Sequence, residues 1–204
     1  MKKIFLIIMG VLLLTGCSLN EDKIVNALEN SYYSQDKEEM RVALEDANKY
    51  LEDHPDAYDV WLSMGRVYGR IEAYDTAMKC FEKCIELEPD KDGTYISIGT
   101  MYRQSGDYEL ARLAYQNALR ILPENPEAYS SLTVLEIVAE DYDQAVIYGE
   151  KAWELNDQSA ITAANLATAY HYMSMVDKRD EFYQKALDLD YGSIKELEKI
   201  FYGQ

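Results

Sequence analysis

The sequence has few basic residues for its length. Its 204 residues include 20 lysines and arginines against 37 aspartates and glutamates, a formal net charge of −17 at pH 7. Binding to nucleic acid requires a positive surface that faces the phosphates, so this balance argues against a nucleic-acid partner. The acidic residues either form an ordinary solvated helix surface or make a field that attracts basic partners and repels anionic lipid.

Histidine and cysteine, which supply many metal ligands and nucleophiles, are also scarce. The two histidines, His54 and His171, have no second metal ligand at a suitable spacing. Cys80 and Cys84 lie four residues apart on one helix face, where a disulfide is strained and a zinc ion would lack a neighbouring histidine. We expect both thiols to be small buried core residues.

Sequence motifs for catalysis are absent as well. The chain contains no glycine-rich phosphate loop, no metalloprotease helix motif and no nucleophile elbow. We therefore expect no enzymatic activity, no bound metal and no cofactor.

The N-terminus has the parts of an export signal. Lys2 and Lys3 precede an apolar stretch at 4–14, which is shorter than the roughly 20 residues that a membrane-spanning helix needs. Leu14-Thr15-Gly16-Cys17 follows and resembles the lipobox of bacterial lipoproteins. An ordinary secretory signal with a chance cysteine, or an uncleaved anchor, is the alternative interpretation.

The lipobox resemblance implies a processed and acylated protein. Cleavage before Cys17 would make residues 1–16 a signal peptide and residues 17–22 a lipidated tether. Because two or more acyl chains hold a protein stably on a bilayer, we expect the chain to contact the membrane through its N-terminal lipid. The expected location is the cell envelope, on the outer side of the cytoplasmic membrane or on the outer membrane.

Two consecutive 34-residue blocks, 58–91 and 92–125, carry matching residue types at eight places. The first block has Trp61, Met64, Gly65, Tyr68, Ala77, Phe81, Cys84 and Pro89, and the second has Tyr95, Ile98, Gly99, Tyr102, Ala111, Tyr115, Ala118 and Pro123. Self-similarity at this period indicates a solenoid of stacked helical hairpins. We expect Gly65 and Gly99 to let the second helix of each hairpin approach closely, and Asp107 and Asp141 to cap second helices.

These positions resemble the tetratricopeptide repeat, a helix–turn–helix unit. The resemblance implies an all-α fold, a right-handed superhelical solenoid of such repeats with a C-terminal capping helix. Its units are a degenerate hairpin at 23–57, repeats at 58–91 and 92–125, divergent repeats at 126–159 and 160–193, and a capping helix at 194–204. The third repeat departs from the pattern at Thr133, Glu136 and Gly149, and the fourth has Arg179 where a small residue is expected.

In the repeat family, the first helices line a concave groove that binds a partner. Carried over position by position, the resemblance implies groove residues Arg66, Arg70, Arg103, Thr100, Gln104, Val134, Ile137, Val138, His171 and Tyr172. The arginines either receive a carboxylate of a ligand or merely offset neighbouring acids. The aliphatic residues either hold a hydrophobic side chain of the partner or belong to the core.

The sequence thus favours a membrane-anchored scaffold or adaptor that binds a protein or peptide partner in the groove, for example in the assembly of an envelope machine. A surface lipoprotein that binds a glycan or small ligand is a second hypothesis, with groove aromatics as stacking platforms. A structural lipoprotein that self-assembles end to end is a third. A thermal shift with sugars would favour the second, and concentration-dependent light scattering the third.

Overall fold

The computed structural model describes residues 20–34 and 36–203. Within them there are eleven helices and no strand, which confirms the predicted all-α fold class. The helices are α1 (Glu21–Ser34), α2 (Lys37–Asp53), α3 (Tyr58–Arg70), α4 (Tyr74–Leu87), α5 (Asp92–Ser105), α6 (Tyr108–Ile121), α7 (Pro126–Val138), α8 (Tyr142–Leu155), α9 (Ala160–Tyr172), α10 (Val176–Asp188) and α11 (Ile194–Tyr202). None of these helices is long and apolar enough to cross a bilayer. The predicted signal peptide and Cys17 lie outside the described residues.

The helices pair in chain order into hairpins, and the hairpins stack. α1 packs on α2, α3 on α4, α5 on α6, α7 on α8 and α9 on α10. The first helices also contact one another in a row from α1 through α3, α5 and α7 to α9, and α11 packs on α9 at the end of this row. Clusters of buried apolar side chains are each shared by neighbouring hairpins, so the core is built hairpin by hairpin, as in a solenoid.

The same turn joins the two helices of the four hairpins from α3 to α10. One residue in each turn has a left-handed backbone: Glu72 at φ 62°, Gly106 at 87°, Glu140 at 61° and Ser174 at 59°. The following residue donates its N–H to a carbonyl five residues earlier, at 2.9 Å in all four turns. Three of the four residues are not glycine, which indicates that helix packing rather than local preference holds this turn.

The two predicted helix caps differ. Asp141 caps α8, because its carboxylate accepts a hydrogen bond from the Gln144 N–H at 3.2 Å. Asp107 occupies the N-cap position of α6, as predicted, but its side chain makes no capping hydrogen bond. Its carboxylate instead accepts a hydrogen bond from the Ser105 hydroxyl in the preceding turn, at 3.0 Å.

In the two regular repeats, a buried ring of the second helix fills the space beside a glycine of the first. A Cβ placed on Gly65 would lie 2.5 Å from the Phe81 ring, and one placed on Gly99 would lie 2.5 Å from the Tyr115 ring. Both rings are fully buried. The expectation that these glycines allow close helix approach is therefore confirmed.

The third hairpin exchanges the large and small residues of this contact. Buried Thr133 replaces the glycine of the first helix, and Gly149 replaces the ring of the second helix. A Cβ on Gly149 would lie 2.7 Å from Leu166, which comes from the next hairpin. The departures from the repeat pattern thus compensate one another in volume, which close packing requires.

A buried ion pair joins the second and third of the repeats at their interface. The Arg112 guanidinium on α6 donates through Nε and one terminal nitrogen to the two oxygens of Glu136 on α7, at 2.9 Å each. The Glu136 side chain is 3% exposed and that of Arg112 is 25% exposed. The equivalent pair one hairpin earlier is Met78 and Tyr102, which pack in one apolar cluster. A charged interface therefore replaces an apolar one at the same register.

Cys80 and Cys84 are free and buried, which confirms their predicted role as core residues. Burial raises the pKa of the Cys80 thiol to about 11 and that of Cys84 to about 12. Both residues are therefore neutral thiols at physiological pH and poor nucleophiles.

We predict that Gly65→Ala destabilises the protein by about 1–3 kcal/mol, because the new methyl group would displace the Phe81 ring. The matched control is Gly93→Ala, a helical site with no heavy atom within 4 Å of the added Cβ. That substitution should stabilise the protein by about 0.5–1 kcal/mol. Urea unfolding measures both, and equal effects of the two substitutions would contradict the close approach at Gly65.

We predict that Arg112→Met costs about 3–5 kcal/mol of unfolding free energy, because it leaves the buried Glu136 carboxylate without its partner. The double variant Arg112→Met, Glu136→Tyr copies the apolar Met78–Tyr102 interface and should recover most of that loss. A double-mutant cycle by chemical denaturation tests this, and additive losses in the double variant would rule out the copied interface.

Candidate functional site

The first helices of successive hairpins lie side by side and together form one surface of the solenoid, which we call the first-helix groove. It is formed by α3, α5, α7 and α9, with α1 at its N-terminal end. A small depression of about 50 Å³ lies between α1, α3 and α5 and is lined by residues that include Tyr32, Arg66, Thr100, Gln104 and Glu127. A larger depression of about 540 Å³ lies between α5, α7 and α9 and is lined by residues that include Arg103, Glu127, Ser130, Val134, Ile161 and Asn165.

Two of the three predicted groove arginines are engaged with α1. The Arg66 guanidinium lies 3.7 Å from the Glu29 carboxylate, and both side chains are about 40% exposed, at 38% and 45%. The Arg70 guanidinium lies over the Tyr32 ring, 5.6 Å from its centroid. A pair as exposed as Arg66 and Glu29 contributes only about 0–1 kcal/mol. Of the two, Arg66 thus faces an acid of the chain, and Arg70 faces an aromatic ring.

The third predicted arginine, Arg103, is different. It lines the larger depression and forms no ion pair with any acid among residues 20–34 and 36–203. Its Nε atom is buried and has no hydrogen-bond acceptor in that part of the chain. Because an unmet buried N–H costs free energy, this atom is the least satisfied polar group of the groove.

The polar residues predicted beside the arginines line the small depression. The Thr100 hydroxyl lies 3.3 Å from the Tyr115 hydroxyl, so it is partly used by a core ring. Gln104 is exposed at the end of α5. Both residues face the Arg66 side of the groove, not Arg103.

The predicted aliphatic strip on α7 is not core. Val134 is half-buried and lines the larger depression. Ile137 is half-buried and Val138 is exposed, and neither lines that depression. Of the three residues, Val134 is therefore the one that the structure brings together with Arg103.

The C-terminal end of the groove is filled by the capping helix. The His171 ring stacks on Phe201 of α11, with ring centroids 4.9 Å apart. The Tyr172 ring stacks on Tyr142, with centroids 4.8 Å apart. The sequence placed His171 and Tyr172 in an open groove, whereas α11 occupies the face of α9 on which His171 lies.

The same contact explains the unexpected arginine of the fourth repeat. The Arg179 guanidinium lies over the rings of Phe201 and Tyr202, 5.7 Å and 5.5 Å from their centroids. Cation–π contacts of this kind stabilise a partly buried guanidinium. Arg179 is thus accommodated by the aromatic rings of α11.

Sequence reasoning missed several groove residues. Ile161 is 60% exposed in the larger depression, and Glu127 borders both depressions. Both occupy the second place of their repeats, a known groove position that could have identified them. Tyr32 and Glu29 belong to the degenerate first hairpin, whose loose register gave no clear signal.

Within the described part of the chain, no group of three histidine, cysteine or acidic side chains is arranged to hold a metal ion. The candidate site is instead a binding surface of mixed charge, hydroxyl and aliphatic groups.

Hairpins of 34 residues, stacked through a row of first helices and closed by a single helix, define a tetratricopeptide-repeat solenoid. Residues 19–160 match the family model described as the cytochrome c-type biogenesis protein H TPR domain, and the chain belongs to this family. A search of curated protein sequences found no match.

Solved structures share the fold at low sequence identity. TTC0263, a thermophilic TPR protein of Thermus thermophilus, has a TM-score of 0.72 at 17% identity, over 90% of this chain and 98% of that one. PilF of Pseudomonas aeruginosa has a TM-score of 0.67 at 17% identity, over 89% of this chain and 84% of that one. MamA has a TM-score of 0.59 at 19% identity, over 82% and 96% of the two chains.

We predict that acidification loosens the capping helix. Burial, together with the nearby Arg179 charge, lowers the pKa of His171 from its usual 6.5. The unfolded state therefore takes up the proton first, and stability is lost as pH falls from 6.5 toward the lowered pKa. Hydrogen-exchange protection factors of α11 should fall between pH 7 and pH 5 in the wild type and much less in His171→Phe. Equal pH dependence in the two proteins would contradict this assignment.

Proposed function

We propose that this protein is a lipid-anchored adaptor that binds a partner polypeptide in the first-helix groove. Tetratricopeptide-repeat solenoids are protein–protein interaction scaffolds, generally without enzymatic activity. The observation that carries the proposal is the larger depression, which combines the unpartnered Arg103 with the exposed Ile161 and half-buried Val134. A charged hydrogen-bond donor beside aliphatic surface suits a peptide, which offers acceptors and apolar side chains together.

The proposed anchor would hold the solenoid close to the bilayer. Cys17 lies three positions before Asn20, whose side chain accepts a hydrogen bond from the Lys23 N–H at the start of α1. Three extended residues span at most about 11 Å. A lipidated Cys17 would therefore place the first hairpin at the membrane surface, in the cell envelope.

Contacts within the chain count against the two rival functions. A glycan-binding groove needs free aromatic faces, but His171 and Tyr172 are stacked on other rings of the chain. End-to-end self-assembly needs an open terminal hairpin, whereas α11 covers α9 and buries Leu197 and Phe201 there. The family description makes proteins of c-type cytochrome biogenesis one class of partner to look for.

Site-specific photo-crosslinking in native membranes tests the groove. We expect p-benzoylphenylalanine at Ile161 to capture a discrete protein, because this side chain is exposed within the larger depression. The same probe at Gln116, exposed on the second helix α6, is the matched control. Identical adducts at both sites, or no adduct at Ile161, would refute binding in the groove.

The anchor is tested separately by Cys17→Ser. We expect the wild-type protein to remain in the membrane fraction after a high-salt wash and to carry the mass of acyl chains. The variant should lose the mass of the acyl chains while keeping the helical circular dichroism of the solenoid. A wild-type protein without that mass, or a Cys17→Ser protein that still carries it, would disprove lipid anchoring at this residue.

A further inference from the structure

We propose that the larger depression is a carboxylate-binding subsite, in which Arg103 holds an acidic group of a peptide while Val134 and Ile161 hold a neighbouring aliphatic side chain. This inference rests on the proposed function, since it names the chemistry that the groove recognises. It assigns carboxylate binding to Arg103, because Arg66 and Arg70, the other two arginines along the groove, already have partners on α1.

The guanidinium of Arg103 has hydrogen-bond donors that the described residues do not satisfy. Its Nε is buried without an acceptor, and its guanidinium forms no ion pair among the described residues. A guanidinium offers donors and no acceptor, and a carboxylate is the acceptor that fits its planar fork. A carboxylate bound at the terminal nitrogens would offset the charge of this guanidinium, which has no ion-pair partner among the described residues.

A second donor in the same depression supports the assignment. The Asn165 side-chain amide donates one N–H to the Ser130 hydroxyl oxygen at 3.4 Å, and the Thr162 hydroxyl also lies 3.4 Å from that oxygen. An amide carries two N–H donors, so the second N–H of Asn165 can donate to a ligand beside Arg103. Half-buried Val134 and exposed Ile161 complete the lining with apolar surface.

Glu127 adds an acidic group to the depression that Arg103 lines, so the effect of each charge can be tested separately. This exposed acid lines the same depression and forms no ion pair among the described residues. A ligand carboxylate at Arg103 would be repelled by it. Removal of either charge should therefore change the affinity for an acidic peptide, and the two changes should have opposite signs.

The experiment titrates peptides into ¹⁵N-labelled residues 18–204, which contain every described residue of the solenoid. The probes are acetyl-Gly-Asp-Gly-Leu-Gly-amide, its asparagine counterpart, and acetyl-Gly-Gly-Leu with a free C-terminal carboxylate. We expect the Arg103 Nε–H signal, assigned from its loss in Arg103→Gln, to shift with a carboxylate peptide and not with the asparagine peptide. A shift with the aspartate peptide alone indicates recognition of a side chain, and a shift with the free-acid peptide alone indicates recognition of a C-terminus.

Variants then test which charge is responsible. Arg103→Gln should weaken carboxylate-peptide binding about ten-fold or more, as loss of a charge-assisted contact does. Glu127→Gln should tighten it, and Arg70→Gln, a groove arginine engaged with Tyr32, should leave it nearly unchanged. The subsite is overturned if neither the aspartate peptide nor the free-acid peptide binds more tightly than the asparagine peptide, or if Arg103→Gln has no effect. A failure of all three peptides to move any groove signal at millimolar concentration overturns it as well. The crosslink at Ile161 would still report independently on whether the groove binds a polypeptide.

Discussion

The contact on which this structure depends is the close approach of two helices within each hairpin, made possible by matching a large residue to a small one. Phe81 packs beside Gly65 and Tyr115 beside Gly99, at a distance that an added methyl group would not tolerate. This contact brings the helices of a hairpin together and leaves the first helices free to stack in a row. The first-helix groove exists because that row is continuous.

The third hairpin obeys the same constraint with different residues. Its small residue lies on the second helix, as Gly149, and the space is filled by Thr133 and by Leu166 of the next hairpin. The interface with the preceding hairpin is an ion pair between Arg112 and Glu136 instead of an apolar contact. A buried ion pair adds little net stability but penalises misalignment, because either charge alone is costly. The helix that carries Glu136, α7, also lines the larger depression through Ser130 and Val134.

The groove changes in character along its length. At its N-terminal end, the Arg66 guanidinium lies beside the Glu29 carboxylate and that of Arg70 lies over the Tyr32 ring. Both arginines therefore contact the first hairpin. At its C-terminal end, α11 fills the face of α9. The middle remains open, and Arg103 lies there without a partner among the described residues. A strongly acidic protein therefore keeps a half-buried cation without an ion-pair partner among the described residues in its candidate binding surface.

The sequence by itself determined the helical hairpins, their period and the buried roles of Gly65, Phe81 and the two thiols, because these follow from spacing and side-chain volume. Only the tertiary structure decided which groove residues are available. Arg66, Arg70 and Arg103 are all predicted groove residues, and the difference in their partners arises from neighbours distant in the chain. The compensation at the third hairpin and the cover of α9 by the capping helix likewise depend on contacts between hairpins. A repeat pattern specifies what each unit can present, whereas stacking determines which of those groups its neighbours already occupy.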